Sequence, residues 1–381
     1  MKKAYNEGWI ENLHILNAAD DWFTQKQLTK EQLDEAEKAF PVEFYRPGIF
    51  IKIGLFIFTL IACSFASGFI SLFLIDNGGK LSISAVSYVC MIGFIFFLER
   101  LIKEKKLYHS GVDNALLYAA MGAAVVPMFV LFEHLQVWQY CIIMLVVSVA
   151  ATLRYADLLT AAGSFLLLLA LLGDMMMKFA LGKALLPFAI MILSAVVYFL
   201  IKKEKSTYYH DCRKVIEVLS LTTFYLGGNY LVVREGNALL NDLNLPLAPQ
   251  IAFAPLFYIF TLGIPFIYIF FGIKKHDRLM LILGLLAFAF SVYTYRHYYA
   301  HFTVAQGLAL AGMFMIALSA SLIKYLHSPK HGISDEEEGK RKLANLEALI
   351  AAQHLGQTPE QANNVEFGGG NFGGGGSGEA Y

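Results

Sequence analysis

Charge is what this sequence has least of. Only 16% of its 381 residues are Asp, Glu, Lys or Arg, thirty acidic against thirty basic, so the formal net charge is zero. A soluble domain carries about 25% charged residues, and a nucleic-acid binder needs a basic surface that this balance does not supply. Cysteine is scarce as well: four residues, none in a C-x-x-C pair, leave neither a disulfide framework nor a zinc knuckle. There is no HExxH helix, Walker loop or Ser-His-Asp ordering. These absences weaken an enzyme reading, and the sequence assigns no catalytic residue, metal ligand set or cofactor.

What is present is apolar surface. Residues of the AVILMFWYC set make up 57% of the chain, with 31 Phe and 20 Tyr. They fall in long runs at 49–75, 81–98, 115–132, 136–153, 158–173, 184–201, 215–233, 251–273, 279–295 and 303–323. A bilayer core about 30 Å thick takes about 20 apolar residues per helix, because every backbone group must pair within the segment. The expected fold is therefore all-α, a polytopic membrane helix bundle of about ten transmembrane helices with short cytosolic helical ends. The weakest spans are 158–173, which is short, and 215–233, which carries Glu217 and Asn229.

Lys and Arg gather in alternate loops: Arg100 to Lys106, Arg154, Lys202 to Lys214, and Lys274 to Arg278. The other loops hold only Lys80, Lys178, Lys183, Arg234 and Arg296. The positive-inside rule then places both termini in the cytoplasm. Four segments follow: a cytosolic amphipathic helical segment at 1–48, the transmembrane bundle at 49–326, a cytosolic tail with an amphipathic helix at 327–356, and a Gly-rich disordered tail at 357–381. In the first, Thr29 and Gln32 form a capping box for a helix over 29–40 with Leu33, Ala36 and Phe40 on one face, and Trp9, Leu13 and Leu16 repeat as in a second helix. In the third, Ser334 to Glu337 opens a helix with Leu343, Leu346, Leu349 and Ile350 on its stripe, which reads either as a docking element for a cytosolic protein through residues 335–355 or as a solvated tail.

An ionisable group inside a bilayer is costly and is retained with a pathway or a partner. Glu217 is the best candidate, although it lies close enough to Arg213 and Lys214 to pair with either. Asn229 follows Gly227 and Gly228, where the helix opens locally or packs closely. Pro127, Pro187, Pro255 and Pro265 fall inside spans as packing kinks or the edges of broken helices. Glu217, Asn229, Pro127 and Pro265 are the candidate cavity-lining residues.

The outer end of the ninth span carries a polar cluster with Tyr295, Arg296, His297, Tyr299 and His301. His297 and His301, four apart, would present two imidazoles to one side, which is half a metal site. An interfacial aromatic belt with Arg296 reaching phosphates explains the same residues, so no metal is assigned. A faint echo, Ile102 to His109, Ile201 to His210 and Ile323 to His327, recurs at the inner ends of spans two, six and ten.

Two stretches resemble known families. Leu28-Thr-Lys-Glu-Gln32 with Ala36, leading into a membrane bundle, resembles the bacterial DUF2157 membrane proteins. Ser291 to Ala300 and Thr303 to Met313 are similar to the DUF4401 region, including the tyrosine-rich pattern of the related GDYXXLXXYY proteins; Gln306 and Gly307 stand where DUF4401 members place a Lys-Ser pair. The Gly/Phe tail looks like that of several bacterial membrane proteins, TPM-domain proteins among them. The resemblance implies a bacterial inner-membrane location and carries over no activity. The sequence alone reads as a non-enzymatic scaffold or envelope-associated component in contact with the lipid bilayer. The alternative is a transporter or channel for a small or lipidic substrate.

Overall fold

The structure is a computed structural model that describes residues 2–74, 79–132, 134–241, 243, 248–299 and 304–326. The capped tail helix, the Gly-rich tail and His301 lie outside the described residues, as does the side chain of Tyr299. Thirteen α-helices are present among the described residues: α1 Glu7–Thr24, α2 Lys30–Ala39, α3 Ile49–Leu74, α4 Lys80–Lys105, α5 Val112–Leu131, α6 Val137–Tyr155, α7 Leu158–Met177, α8 Gly182–Ile201, α9 His210–Gly228, α10 Tyr230–Leu240, α11 Ala254–Lys274, α12 Arg278–Tyr299 and α13 Val304–Leu326. No strand occurs among them, only an isolated bridge between Tyr45 and Leu107.

Nine of these helices are long and apolar enough to cross a membrane, and they turn apolar side chains outward. Phe65 is 75% exposed and Leu72 80% exposed on α3, and Ile192 and Ile259 do the same on α8 and α11. Water would make such continuous apolar surface an aggregation site, whereas lipid tails are its natural solvent. The chain is therefore a polytopic helical bundle of the integral membrane kind.

The bundle is built from antiparallel neighbours: α4 packs on α5, α6 on α7, α8 on α9, and α11 on α12. Its buried surfaces use small and hydroxyl residues that let backbones approach. Ser148 Oγ donates to the Thr160 carbonyl across α6 and α7 at 2.8 Å, and Gly284 lies against Ile269 and Tyr268 where a Cβ would come within 3.0 Å.

The continuous span expected over 215–233 is corrected. The chain breaks at Asn229, and α9 and α10 meet at a 76° bend. The cause is local. Asn229 takes an extended backbone conformation and its Oδ1 accepts from the amides of Leu231 and Val232, capping a new helix where the old one would have continued. If this bent pair is counted as one span, the total is ten.

The two soluble helices form as their capping signals require. Thr29 and Gln32 make the reciprocal capping box of α2. Helix α1 starts two residues before the expected stripe, capped by Asn6, and buries Ile10, Leu13 and Ala19. The segment is docked on the bundle: the Ala4 amide donates to the Arg154 carbonyl at 2.9 Å, and that of Tyr45 donates to the Lys106 carbonyl at 2.9 Å. The end of the bundle that carries it is called proximal, the opposite end distal.

Candidate functional site at the proximal end

Beneath the docked segment a cavity of about 850 Å³ opens among the first turns of α3, α5, α7 and α9. Asp157, 2% exposed, lines it, and a second carboxylate that the chain buries almost completely, Asp113 at 1% exposure, lies behind the lining residues His109, Gly111 and Asn114. Each is held by the helix it begins, where the amide dipoles favour negative charge.

Asp113 is the second residue of α5. Its Oδ1 accepts from the Ser110 amide at 2.8 Å and the Ser110 hydroxyl at 3.0 Å, and its Oδ2 from the His109 amide at 2.7 Å and the Tyr5 hydroxyl at 2.7 Å. The loop that delivers these donors is contorted: Lys106, His109 and Gly111 have φ of 51°, 45° and 100°. Gly111 is required twice over, because a Cβ there would sit 2.2 Å from the Lys52 carbonyl oxygen and because its φ is one that L side chains rarely adopt.

Asp157 caps α7, accepting from the Thr160 amide at 3.0 Å. It also takes hydrogen bonds from Asn114 Nδ2 at 2.8 Å and from the Tyr118 hydroxyl at 2.9 Å. The preceding residue, Ala156, is again left-handed at φ 46°. Asn114 lies 3.4 Å from His109 Nδ1 through the same nitrogen, and its Oδ1 is buried without a donor. The result is a polar chain His109–Asn114–Asp157–Tyr118 with one acceptor unsatisfied. Left-handed backbone and buried ionisable groups gathered around one cavity make it the candidate functional site.

The loop groups respond to this environment. Burial holds His109 below its ordinary pKa, with Lys52 acting in the same direction and Asp113 and Asp157 opposing. Burial also pushes Tyr108 up to about 12, reinforced by Asp211 and opposed by Arg46. Tyr5 is raised well above the usual phenol range by burial and by Asp113, so it stays a donor. Around the rim, Arg46 and Lys52 stand on the α3 side and Asp211 on the α9 side, and neither cation forms an ion pair among the described residues.

The residues singled out from sequence fall elsewhere. Glu217 is buried at the proximal end beside Arg213 at 3.9 Å and Lys202 at 3.7 Å, with Lys202 rather than Lys214 as its second partner. Lys202 is shared with Asp277 at 2.9 Å. Pro127 and Pro265 are fully buried within α5 and α11. None of these four candidates lines the proximal cavity.

Asn229 forms the centre of a distal network. Its Nδ2 donates to the Tyr225 hydroxyl at 2.9 Å and to Thr294 Oγ1 at 3.1 Å, while Tyr225 meets Ser291 at 2.8 Å. The Tyr230 amide, freed by the break, donates to Thr261 Oγ1 at 2.9 Å. A cavity of about 290 Å³ lies beside this network, lined by Thr261, Ser291, Thr294 and Tyr295 among others. Arg234, read from sequence as a loop residue, is instead buried in α10, where it donates to the Ala248 carbonyl at 2.8 Å and lies over the Tyr298 ring at 4.5 Å.

Of the outer polar cluster, Tyr295 and His297 are exposed near the end of α12, and the stem of Arg296 lies against Gly307 of α13. No group of three metal-ligating side chains occurs among the described residues. Sequence reasoning assigned no role to Asp113, Asp157 or Asn114 and noted His109 only as the end of a repeated pattern. The one available signal was the His109 and His210 echo, since both histidines lie at the proximal end and His210 packs on His14, a rim residue, at 4.8 Å. Comparison with family models, with curated proteins and with solved structures finds no match to this chain.

Proposed function

We propose that this protein is a transporter or channel for a small or lipidic substrate and that the substrate is held in the proximal cavity. The observation that carries the reading is the buried carboxylate of Asp157 in the cavity lining with Asn114 beside it, whose Oδ1 is buried without a donor. An acceptor left without a donor costs folding free energy that a bound ligand can return. The bent α9–α10 pair supports the same reading, because discontinuous helices with uncoupled termini are the usual means by which transporters build polar sites at membrane depth. The scaffold alternative depends on the segment 335–355, which lies outside the described residues.

The proposal includes a bacterial inner-membrane location with the proximal end and both termini cytoplasmic; the orientation is supported by the lysine- and arginine-rich loops at the proximal end, and the location by the family resemblance. Kinship with the DUF2157 and DUF4401 proteins is part of the proposal, resting on the capped start of α2 and the tyrosines that end α12.

The test is thermal stabilisation of the purified full-length protein by a panel of membrane lipids and small metabolites, followed by proteoliposome flux of whatever binds. A ligand at a hundred times its Kd stabilises by about 2.7 kcal/mol. The proposal expects at least one compound to raise the Tm of the wild type and not that of Asn114→Leu. No shift with any class, or the same shift in the variant, contradicts it.

A further inference from the structure

We infer that the ligand of the proximal cavity is a phospholipid with a primary-amine headgroup, seated with its headgroup among Lys52, Asp157 and Asp211 and one acyl chain along α7. This deepens the reading above and rests on it. Three observations converge.

The first is shape. The proximal cavity is polar at the loops but is walled by Phe56, Leu159 and Ala162 within α3 and α7. A second cavity of about 510 Å³ shares Tyr118 and Leu159 with it as lining residues and runs between α5, α6 and α7 to Ala170. From Leu159 to Ala170 the helix rises about 16 Å at 1.5 Å per residue. That is about the depth of one leaflet of a hydrocarbon core about 30 Å thick. A polar chamber that shares a wall with an apolar groove one leaflet deep is complementary to an amphiphile, whereas a soluble solute would leave the groove unused.

The second is charge. Lys52 and Arg46 stand on one wall without an ion pair among the described residues, and Asp211 stands on the other with Asp157 on the floor. A phosphate against the cations and an ammonium against the carboxylates satisfies both walls. An anionic headgroup without an amine leaves the carboxylates facing a second negative charge.

The third is the missing donor. The buried Oδ1 of Asn114 needs an N–H or O–H, which a primary ammonium has and a quaternary one lacks. Choline headgroups therefore fit the charge but not the hydrogen bond.

Native mass spectrometry of the full-length protein, released from micelles holding equal amounts of dioleoyl phosphatidylethanolamine, phosphatidylcholine and phosphatidylglycerol, tests the assignment. The ethanolamine lipid is expected to be retained at least tenfold over the others. Lys52→Gln and Asp211→Asn each reduce its retention about tenfold, the loss expected for one charge-assisted hydrogen bond. Leu159→Trp, which adds bulk at a residue lining both cavities, reduces lipid retention while leaving binding of water-soluble glycerophosphoethanolamine intact. Circular dichroism and Tm verify that each variant is folded.

Equal retention of the three lipids overturns the headgroup assignment. Glycerophosphoethanolamine binding as tightly as the lipid, with Leu159→Trp silent, overturns the lipid assignment while the cavity remains a substrate site. If no lipid and no headgroup binds while another compound stabilises the wild type through Asn114, the inference fails and the functional proposal stands. Failure of every compound removes both.

Discussion

At the scale of single residues, three positions carry the proximal site, and each gives a measurable consequence. Gly111 has no tolerance for a side chain, since a Cβ meets the Lys52 carbonyl oxygen at 2.2 Å and the φ of 100° is strained for any other residue. Gly111→Ala is expected to cost about 1–3 kcal/mol in strain alone. It should lower the Tm of the detergent-solubilised protein by several degrees; an unchanged Tm would mean that α3 and α5 do not meet at this point.

Among the described residues, Tyr5 is the side chain by which the N-terminal segment reaches a buried carboxylate. Tyr5→Phe removes a hydrogen bond to a charged acceptor, about 1.5–3 kcal/mol. Limited proteolysis should then cleave within residues 2–48 several-fold faster than in the wild type. Equal rates would show that the segment is held by its apolar contacts alone.

His109 gives the pH dependence. Its pKa in the folded protein lies below the ordinary 6.5, because burial disfavours the imidazolium. The unfolded chain therefore binds the proton first as pH falls. The stability that the neutral ring contributes is complete above pH 6.5, and it is lost as pH drops from there toward the folded-state pKa. The Tm should accordingly fall between neutral pH and pH 5 by more in the wild type than in His109→Gln. Parallel curves would place the titration elsewhere.

At the scale of elements, the α9–α10 break is set by one residue with four hydrogen-bonding roles. Asn229 caps α10 through its oxygen and ties Tyr225 and Thr294 through its nitrogen. Asn229→Leu removes the cap and leaves the hydroxyls and amides without partners, a cost of about 1–3 kcal/mol for each buried group that finds no substitute. Hydrogen exchange over residues 230–240 should accelerate strongly, with α3 to α5 unaffected. Protection unchanged in α10 would mean that the bend is set by packing and not by the cap.

The elements were largely legible in the sequence, and the reason is physical. Lipid as solvent demands continuous apolar helices, so runs such as those of α3 and α8 announce themselves, and the capping box of α2 needs only residues three apart. The break was not legible. Gly227-Gly228-Asn229 reads equally as a close-packing site, and the choice is made by Thr261, Ser291 and Thr294, which lie 31 to 66 residues away in the contacts they make.

The site was hidden for the same reason. Asp113 and Asp157 sit at the ends of apolar runs, where acidic residues are ordinarily solvated, and ionisable groups were sought at depth instead. Their burial comes from Tyr5, 108 residues from Asp113, and from Asn114, 43 residues from Asp157. Glu217, conspicuous by position, proves to be a partner of Lys202 and Arg213 at the proximal end.

At the scale of the whole molecule, the account depends on the proximal and distal ends facing opposite aqueous compartments, with the cavity on the cytoplasmic side. Helix ends that meet across the bundle agree with this arrangement: Lys202 with Asp277 at the proximal end, Lys183 with the Leu240 carbonyl at the distal. The most direct measurement uses a cysteine-free full-length background with single cysteines at Lys203 and at Phe179, labelled by a membrane-impermeant maleimide in spheroplasts and in inverted membrane vesicles. The account predicts that the cysteine at position 179 reacts only in spheroplasts and the one at 203 only in inverted vesicles. Labelling of both positions in the same preparation would contradict it.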